Sequence, residues 1–335
     1  MDSEGQVKHI ALFSHADCSR HDTGWGHPEH QGRLRELMKT VDRALPDLAP
    51  HVEPIEGRPL DPERLLLVHG QNHVDRVERV VKRAAQLDEI IALDPDTVVS
   101  GASWKASLAA AGCVVDAVES ITAGHHRAAF CAVRPPGHHA TADLAMGFCL
   151  FNSVAIAARH AVTERLAEKV LIVDWDVHHG NGTQDIFYHD PSVFYLSMHQ
   201  SPHYPGSGAP DERGAGEGEG TTLNVPLPPG LEPDRYVAEL LGALDDALSR
   251  FAPDLVIISC GFDAAAEDPL AGFTLRPEHF RQLTLELVNR TAETTGRRVV
   301  SALEGGYNPS ELGHNAVTHL LALRDATADP ASGGE

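Results

Sequence analysis

The chain has 335 residues, 48 acidic against 27 basic side chains, and a formal charge of −21. That balance excludes a nucleic-acid binder, because phosphate recognition needs a basic stripe and none is visible. No apolar run approaches the roughly eighteen residues that span a bilayer, so neither a membrane nor a nucleic acid is an expected partner.

The acidic charge suits a cationic substrate and equally keeps a protein soluble, so it does not choose between a basic peptide and a polyamine. The five cysteines, at positions 18, 113, 131, 149 and 260, are odd in number, widely spaced and mostly set in apolar segments. They read as reduced core thiols, without the C-x-x-C spacing of a structural zinc site. The expectation is a soluble, cytoplasmic protein whose oligomeric state is open.

In chain order, residues 1–7 carry acid and no apolar core and read as a flexible end. No linker interrupts the chain beyond them, so one folded domain is expected over residues 8–326, with 327–335 as a second flexible end. Asp61 and Pro62 supply a cap and a first-turn proline for a helix. Helical periodicity covers residues 102–122, 151–166, 236–249 and 277–293. Between these lie apolar runs at 128–133, 170–173, 221–227, 254–260 and 298–303. Strands alternating with helices make a parallel α/β sheet. The Gly/Pro-rich segment 201–220 is followed at once by a strand, so it reads as a functional loop.

Four of the apolar runs stop at chemistry. The run from Ala128 ends at Arg134-Pro-Pro-Gly-His138-His139, where two prolines forbid further ladder. The run Val170-Leu-Ile-Val ends at Asp174-Trp-Asp176-Val-His178-His179-Gly-Asn181-Gly. Two more end at Gly261-Phe-Asp263 and at Glu304-Gly-Gly-Tyr307-Asn308. Strand carboxyl ends are where open α/β sheets bind ligands, and buried carboxylates there must be neutralised by a metal, by each other or by hydrogen bonds. If the strand persists, Asp174, Asp176 and His178 share one side. A tetrahedral catalytic zinc takes three protein ligands plus water, so either one ligand comes from elsewhere or one of these three only supports the others. A metal set, a histidine pair and a phenol together are the inventory of a hydrolase.

These segments, with His21-Asp-Thr-Gly-Trp-Gly-His-Pro-Glu-His30 and Leu93-Asp-Pro-Asp-Thr97, resemble the signature segments of zinc-dependent histone deacetylases and their bacterial amidohydrolase relatives. The Pro-Pro-Gly-His-His and Gly-Asn-Gly forms resemble the class II branch. The resemblance implies the arginase/deacetylase fold, a single α/β domain with a central parallel sheet of about eight strands flanked by helices. It also implies removal of acetyl or related acyl groups from the ε-amine of lysine in proteins or peptides.

By the same resemblance Asp176, His178 and Asp263 hold one zinc ion, although such mixed donor sets also accept iron(II), cobalt or manganese. His139 is implied as general base and then acid, with His138 as its electrostatic partner. Asp174 orients His138, Asn181 orients His139, and Tyr307 donates to the oxyanion. Asn181 stands where class I relatives carry aspartate. Up to two potassium ions are implied, the nearer at Asp174, Asp176, His178, Ser197 and Met198, the farther at Phe187, Asp190, Val193 and Thr221. For the substrate, Gly147, Phe148 and Tyr204 are implied as channel walls, and Asp94, or else Asp96, as the rim carboxylate. Leu270 stands where polyamine-selective relatives place glutamate. The alternatives are an acetylpolyamine amidohydrolase and a non-catalytic acyl-lysine binding module. An arginase-type ureohydrolase fits less well, since the motifs supply no ligands for a second metal.

Overall fold

The computed structural model describes residues 10–328. The flexible end expected at 1–7, and residues 329–335 of the one expected at 327–335, lie outside the described residues. In chain order the main elements are β1 (Ile10–Ser14), α1 (Gly32–Leu48), β2 (Val52–Glu56), α2 (Gln71–Leu87), β3 (Ile91–Ala92), β4 (Val98–Val99), α3 (Ser103–Thr122), β5 (Ala128–Cys131), α4 (Ser153–Thr163) and β6 (Val170–Asp174). They continue with α5 (Asn181–Phe187), β7 (Val193–Gln200), β8 (Thr222–Leu227), α6 (Pro233–Arg250), β9 (Leu255–Cys260), α7 (Pro277–Thr295), β10 (Val299–Leu303) and α8 (Pro309–Thr327).

Eight strands form one sheet in the order β2-β1-β5-β10-β9-β6-β7-β8, every neighbouring pair parallel. The central strands are buried along their whole length, as the unbroken apolar runs demand, whereas β2 and β8 at the edges are only partly covered. The edges are also where the ladder tolerates proline, Pro54 in β2 and Pro226 in β8. Two contiguous helical layers cover the sheet, α1-α8-α7-α6 on one face and α2-α3-α4-α5 on the other.

The four strands whose ends carry the chemistry, β5, β10, β9 and β6, stand side by side in the middle of the sheet. All are parallel, so their carboxyl ends open onto one edge. The last two strands of the chain fill the centre, between strands formed earlier in the sequence. This reversal of strand order opens a crevice at the sheet's carboxyl edge.

Three local expectations change. The helix expected at Asp61-Pro62 is a 3-10 turn over Pro62–Leu67, capped by Asp61 through the Glu63 N–H. The final helix runs through Thr327, which is buried and therefore not part of a loose tail. Strand β6 stops at Asp174 rather than persisting to His178.

Ile257 of β9 lies level with Ile172 of β6 and Val300 of β10, all fully buried. Replacing Ile257 by Ala should cost about 2–5 kcal/mol through lost burial and a cavity that a sheet centre cannot collapse. The denaturant midpoint checks this.

Candidate active site

Beyond Asp174 the chain is bent by its own carboxylates. The Asp176 N–H donates to Asp174 Oδ1 at 3.2 Å and the His178 N–H to Asp176 Oδ1 at 2.9 Å. These bends, rather than a continued pleat, bring Asp176 and His178 together. Asp263, just past β9, joins them, and one donor atom from each of the three lies within 4.8 Å of the others. Asp174 does not join this group and turns to His138.

In each acid one oxygen accepts a backbone N–H from another segment and the other faces the cluster, Asp176 Oδ1 while also accepting the His178 N–H. Asp176 Oδ2 accepts the Gly305 N–H at 2.8 Å, and Asp263 Oδ1 accepts the Val177 N–H at 2.8 Å. The remaining oxygens face His178 Nδ1, at 3.0 Å for Asp176 and 3.2 Å for Asp263. Gly305 has to be glycine, since a Cβ there would stand 2.0 Å from Asp263 Oδ2 and 2.6 Å from Asp176 Oδ2.

Burial pushes Asp263 up to about 7, with the Asp176 charge acting in the same direction. Asp176 is held well below the ordinary carboxylate range, because the His138 and His178 imidazoles outweigh its burial. Burial would discharge His178, but hydrogen bonds to Asp176 and Asp263 carry it up to about 10. Among the described residues no lysine or arginine pairs with either acid, so the cluster holds a proton where positive charge is wanted. Two buried carboxylates and one imidazole, aimed at a common point, fit a divalent metal.

The histidine pair follows β5. His138 Nδ1 lies 3.0 Å from Asp174 Oδ2, which also accepts the Tyr195 hydroxyl at 2.9 Å. Glu304 Oε2 fixes the turn by accepting the Gly137 N–H at 2.6 Å and the His138 N–H at 3.2 Å. Burial opposes charge on His138, yet the Asp174, Asp176 and Glu304 carboxylates hold it well above its usual value. His139 is driven the other way by burial and by the His138 and His178 imidazoles. Its Nδ1 donates to Asn181 Oδ1 at 2.8 Å, which leaves Nε2 with a lone pair. The two rings lie 4.1 Å apart.

The Glu304-Gly-Gly-Tyr307 turn is gripped from α1. Arg33 donates to the carbonyls of Glu304 and Gly306, each at 2.6 Å, and its guanidinium lies 4.7 Å over the Tyr307 ring. The Tyr307 N–H donates to Asp268 Oδ2 at 2.7 Å. Burial pushes the Tyr307 hydroxyl well above its ordinary range, against the pull of Arg33, so it remains a donor. Arg33 is neutralised by Glu29 at 2.9 Å, and Glu29 also takes two bonds from Arg134, at 2.5 and 2.7 Å. Arg134 reaches on to the carbonyls of Cys18 and His21 at 3.1 Å. All three side chains are fully buried. The segment 21–30, which the resemblance makes a rim loop, thus carries a buried ionic anchor.

A cavity of about 210 Å³ opens above these groups, lined by Asp96, His139, Gly147, Phe148, His178, His203, Tyr204, Leu270 and Tyr307. The structure therefore brings Gly147, Phe148, Tyr204 and Leu270 to one cavity. Asp94 does not line it: its Oδ1 is occupied by the Asp96 and Thr97 N–H groups, and Asp96 takes its place. Gly147 adopts φ +55, and a Cβ there would lie 2.3 Å from the His139 ring. His203, given no role by the sequence, stacks on His178 at 4.8 Å.

Of the residues assigned to monovalent cations, Ser197 pairs with Asp174 across β6 and β7, and Met198 follows it, both buried. Phe187, Asp190, Val193 and Thr221 gather at the start of β7. There the Asp190 N–H donates to the Phe187 carbonyl at 3.0 Å, and the Thr221 hydroxyl to the Asp190 carbonyl at 3.4 Å.

The family model described as the histone deacetylase domain matches residues 27–323 of this chain. The chain belongs to the histone deacetylase family. It is 38% identical to human histone deacetylase 7, over 98% of this chain and 37% of that protein. It is 36% identical to the rice chloroplastic histone deacetylase 10, over 89% of this chain and 69% of that one. A Synechocystis protein described as uncharacterized matches at 36% identity over 94% of this chain and 99% of its own length. The chain thus spans little more than a third of the human relative and nearly all of the cyanobacterial one. Among solved structures, the crystal structure of the HDA15 HD domain superposes with a TM-score of 0.88, at 36% identity, covering 98% of this chain and 91% of that one. The family places the arginase/deacetylase fold on the parallel sheet described above.

The Glu29 anchor yields a test. Glu29→Gln would leave two buried guanidiniums without their shared counter-charge, at a cost of about 3–5 kcal/mol in stability. In the native chain Glu29 is held at about 2, against an ordinary 4.5, by Arg134 and Arg33 despite its burial. A depressed carboxylate stabilises above its unfolded value, so this contribution should be lost as pH falls from about 4.5 through about 2. The pH dependence of the wild-type and E29Q denaturation midpoints should converge in that window.

Proposed function

We propose that the protein is a zinc-dependent amidohydrolase that removes acetyl or related acyl groups from the ε-amine of lysine in proteins or peptides. The observation that carries this reading is the cluster of Asp176, His178 and Asp263, whose His178 lines one cavity together with His139, Tyr307, Phe148 and Tyr204. Family membership supports it.

Asp176, His178 and Asp263 would hold the zinc, which when bound acidifies water and polarises the amide carbonyl. The chain's own groups do the rest. His139 Nε2, lone pair free and the ring held by Asn181, accepts a proton from water and later returns it to the departing amine. His138, kept cationic by Asp174, places positive charge beside it and keeps it from protonating early. The Tyr307 hydroxyl donates to the oxyanion as it forms, with its ring and backbone fixed by Arg33 and Asp268. Phe148 and Tyr204 flank the aliphatic chain and exclude water from it. Ser197, Met198 and the carbonyls around β6 and β7 would hold potassium as the family resemblance implies, with a structural role.

A second reading has one observation in its favour. Asp96 places a carboxylate in the cavity wall, where the terminal amine of an acetylpolyamine could pair with it, while Leu270 offers no second acid. Hydrolysis of a fluorogenic acetyl-lysine peptide beside N-acetylputrescine, with and without chelator and added zinc, separates the two. Chelator-sensitive turnover of the peptide in preference to the polyamine supports the lysine reading; the reverse preference overturns it.

Tyr307→Phe should lower kcat by about two to three decades while metal content stays at the wild-type level, in line with other oxyanion donors. Kinetics together with metal analysis of the purified variant check both halves.

A further inference from the structure

Two buried histidines stand beside the site without a part in the chemistry. His179 follows the ligand His178, His199 lies at the end of β7, and each is about 1% exposed. Their rings are 4.8 Å apart and face the loop that carries the cavity walls His203 and Tyr204.

We propose that His179 and His199 are positioning residues that clamp Ser207 and Gly208 and so fix the His203-Tyr204 wall, making them determinants of substrate fit. The Ser207 hydroxyl bonds His179 Nδ1 at 2.8 Å, and the Gly208 carbonyl accepts from His199 Nε2 at 3.1 Å. The Gly208 N–H donates to Glu212 Oε2 at 3.1 Å. That same oxygen accepts Gln184 Nε2 at 2.6 Å, and Gln184 Oε1 lies 2.9 Å from His179 Nε2. The ring of bonds closes on itself. Gly208 fits between the imidazoles only because it lacks a side chain. At φ +87 a Cβ would lie 2.5 Å from His199 Nε2 and 2.7 Å from His179 Cγ.

The wall side chains have contacts of their own, His203 with the Leu270 backbone and the His178 ring and Tyr204 with the Gly147 backbone and the His139 ring, but the main chain that carries them is fixed only at its two ends. Upstream, the Ser201 N–H is tied to the Leu227 carbonyl at 2.8 Å. Between that tie and Ser207, among the described residues, no backbone N–H or carbonyl of residues 202–206 makes a backbone hydrogen bond. Only Pro205 and Gly206 separate Tyr204 from the clamped Ser207, so displacement of the clamp is passed on to Tyr204. The Tyr204 ring stands edge-on to His139, with centroids 5.1 Å apart, and lines the cavity together with Phe148. The clamp is therefore coupled to binding rather than to proton transfer, since His138, His139 and Tyr307 are held by separate partners. A misplaced wall weakens substrate binding before it harms chemistry.

This inference rests on the proposal that the cavity takes the acylated amine. The test uses the full chain loaded with zinc, in Gly208→Ala and in the milder Ser207→Ala, which removes only the bond to His179. Hydrogen–deuterium exchange of peptides covering residues 201–212 is compared with wild type, and KM and kcat are measured on the acetyl-lysine peptide. Both variants should exchange faster in that segment alone and raise KM by about tenfold or more, with kcat within about threefold of wild type. Unchanged exchange, faster exchange with unchanged KM, or a fall in kcat alone would overturn the proposal. If wild type hydrolyses no acylated amine, the proposed function fails, while the exchange comparison still decides whether the two histidines hold the wall.

Discussion

Four carboxylates buried at the ends of three adjacent strands set the terms for the whole molecule. Asp174 and Asp176 follow from β6, Asp263 from β9 and Glu304 from β10, and none is more than about 1% exposed. Taking such charges out of water is tolerable only where fixed dipoles, cations or protons replace the lost solvent. The local architecture answers that demand. Backbone N–H groups of Gly305, Val177 and Gly137 each hold one oxygen, the glycines at 261 and 305 let main chain come that close, and His138 and His178 supply positive charge. What the protein itself cannot supply is a compact double charge between Asp176 and Asp263, and that is the property of a divalent metal.

A second ionic assembly, Glu29 with Arg33 and Arg134, lies beside the first and has a different task. It joins the first rim segment, the start of α1 and the turn after β5 to the carbonyls of the Tyr307 turn. The reactive groups stand on loops, yet each loop is tied to the sheet or to this assembly. The paired histidines show how finely such surroundings discriminate: on His139 burial and the neighbouring His138 and His178 imidazoles prevail, whereas on His138 the Asp174, Asp176 and Glu304 carboxylates overcome the same burial.

Much of this was legible in the sequence because parallel strands buried on both faces must be continuous apolar runs, and those at 170, 255 and 299 end abruptly in polar residues. The end of a run told where the site lay, and glycine beside acid told where backbone approached it. Period-two reasoning failed past Asp174, because carboxylates capping the next N–H groups bent the chain out of the sheet. Segments α1, α2 and β1 had no chemistry at their ends to draw notice. Arg33 carried no signal and Glu29 only its place in the 21–30 segment, since a charged residue in a helix or a loop is ordinarily solvated, and only the fold shows that these two meet Arg134 out of water. His203 and the His179–His199 clamp depended on a loop path that no pattern specifies. Asp94 was placed ahead of Asp96 by analogy of position, and a local turn, invisible in the sequence, leaves Asp96 as the one that lines the cavity.

The strand order carries a consequence for how the molecule is made. The two strands at the heart of the sheet, β9 and β10, are among the last parts of the chain, while their flanking partners β6 and β5 come far earlier in it. A ribosome releases β5 and β6 with their inner edges unpaired, and Asp176 and His178 without Asp263. Until β9 and β10 emerge and insert between them, the nascent protein exposes two open ladders and lacks Asp263 beside Asp176 and His178. Assembly of the sheet and completion of the Asp176, His178 and Asp263 cluster are thus one late event, dominated by contacts distant in sequence.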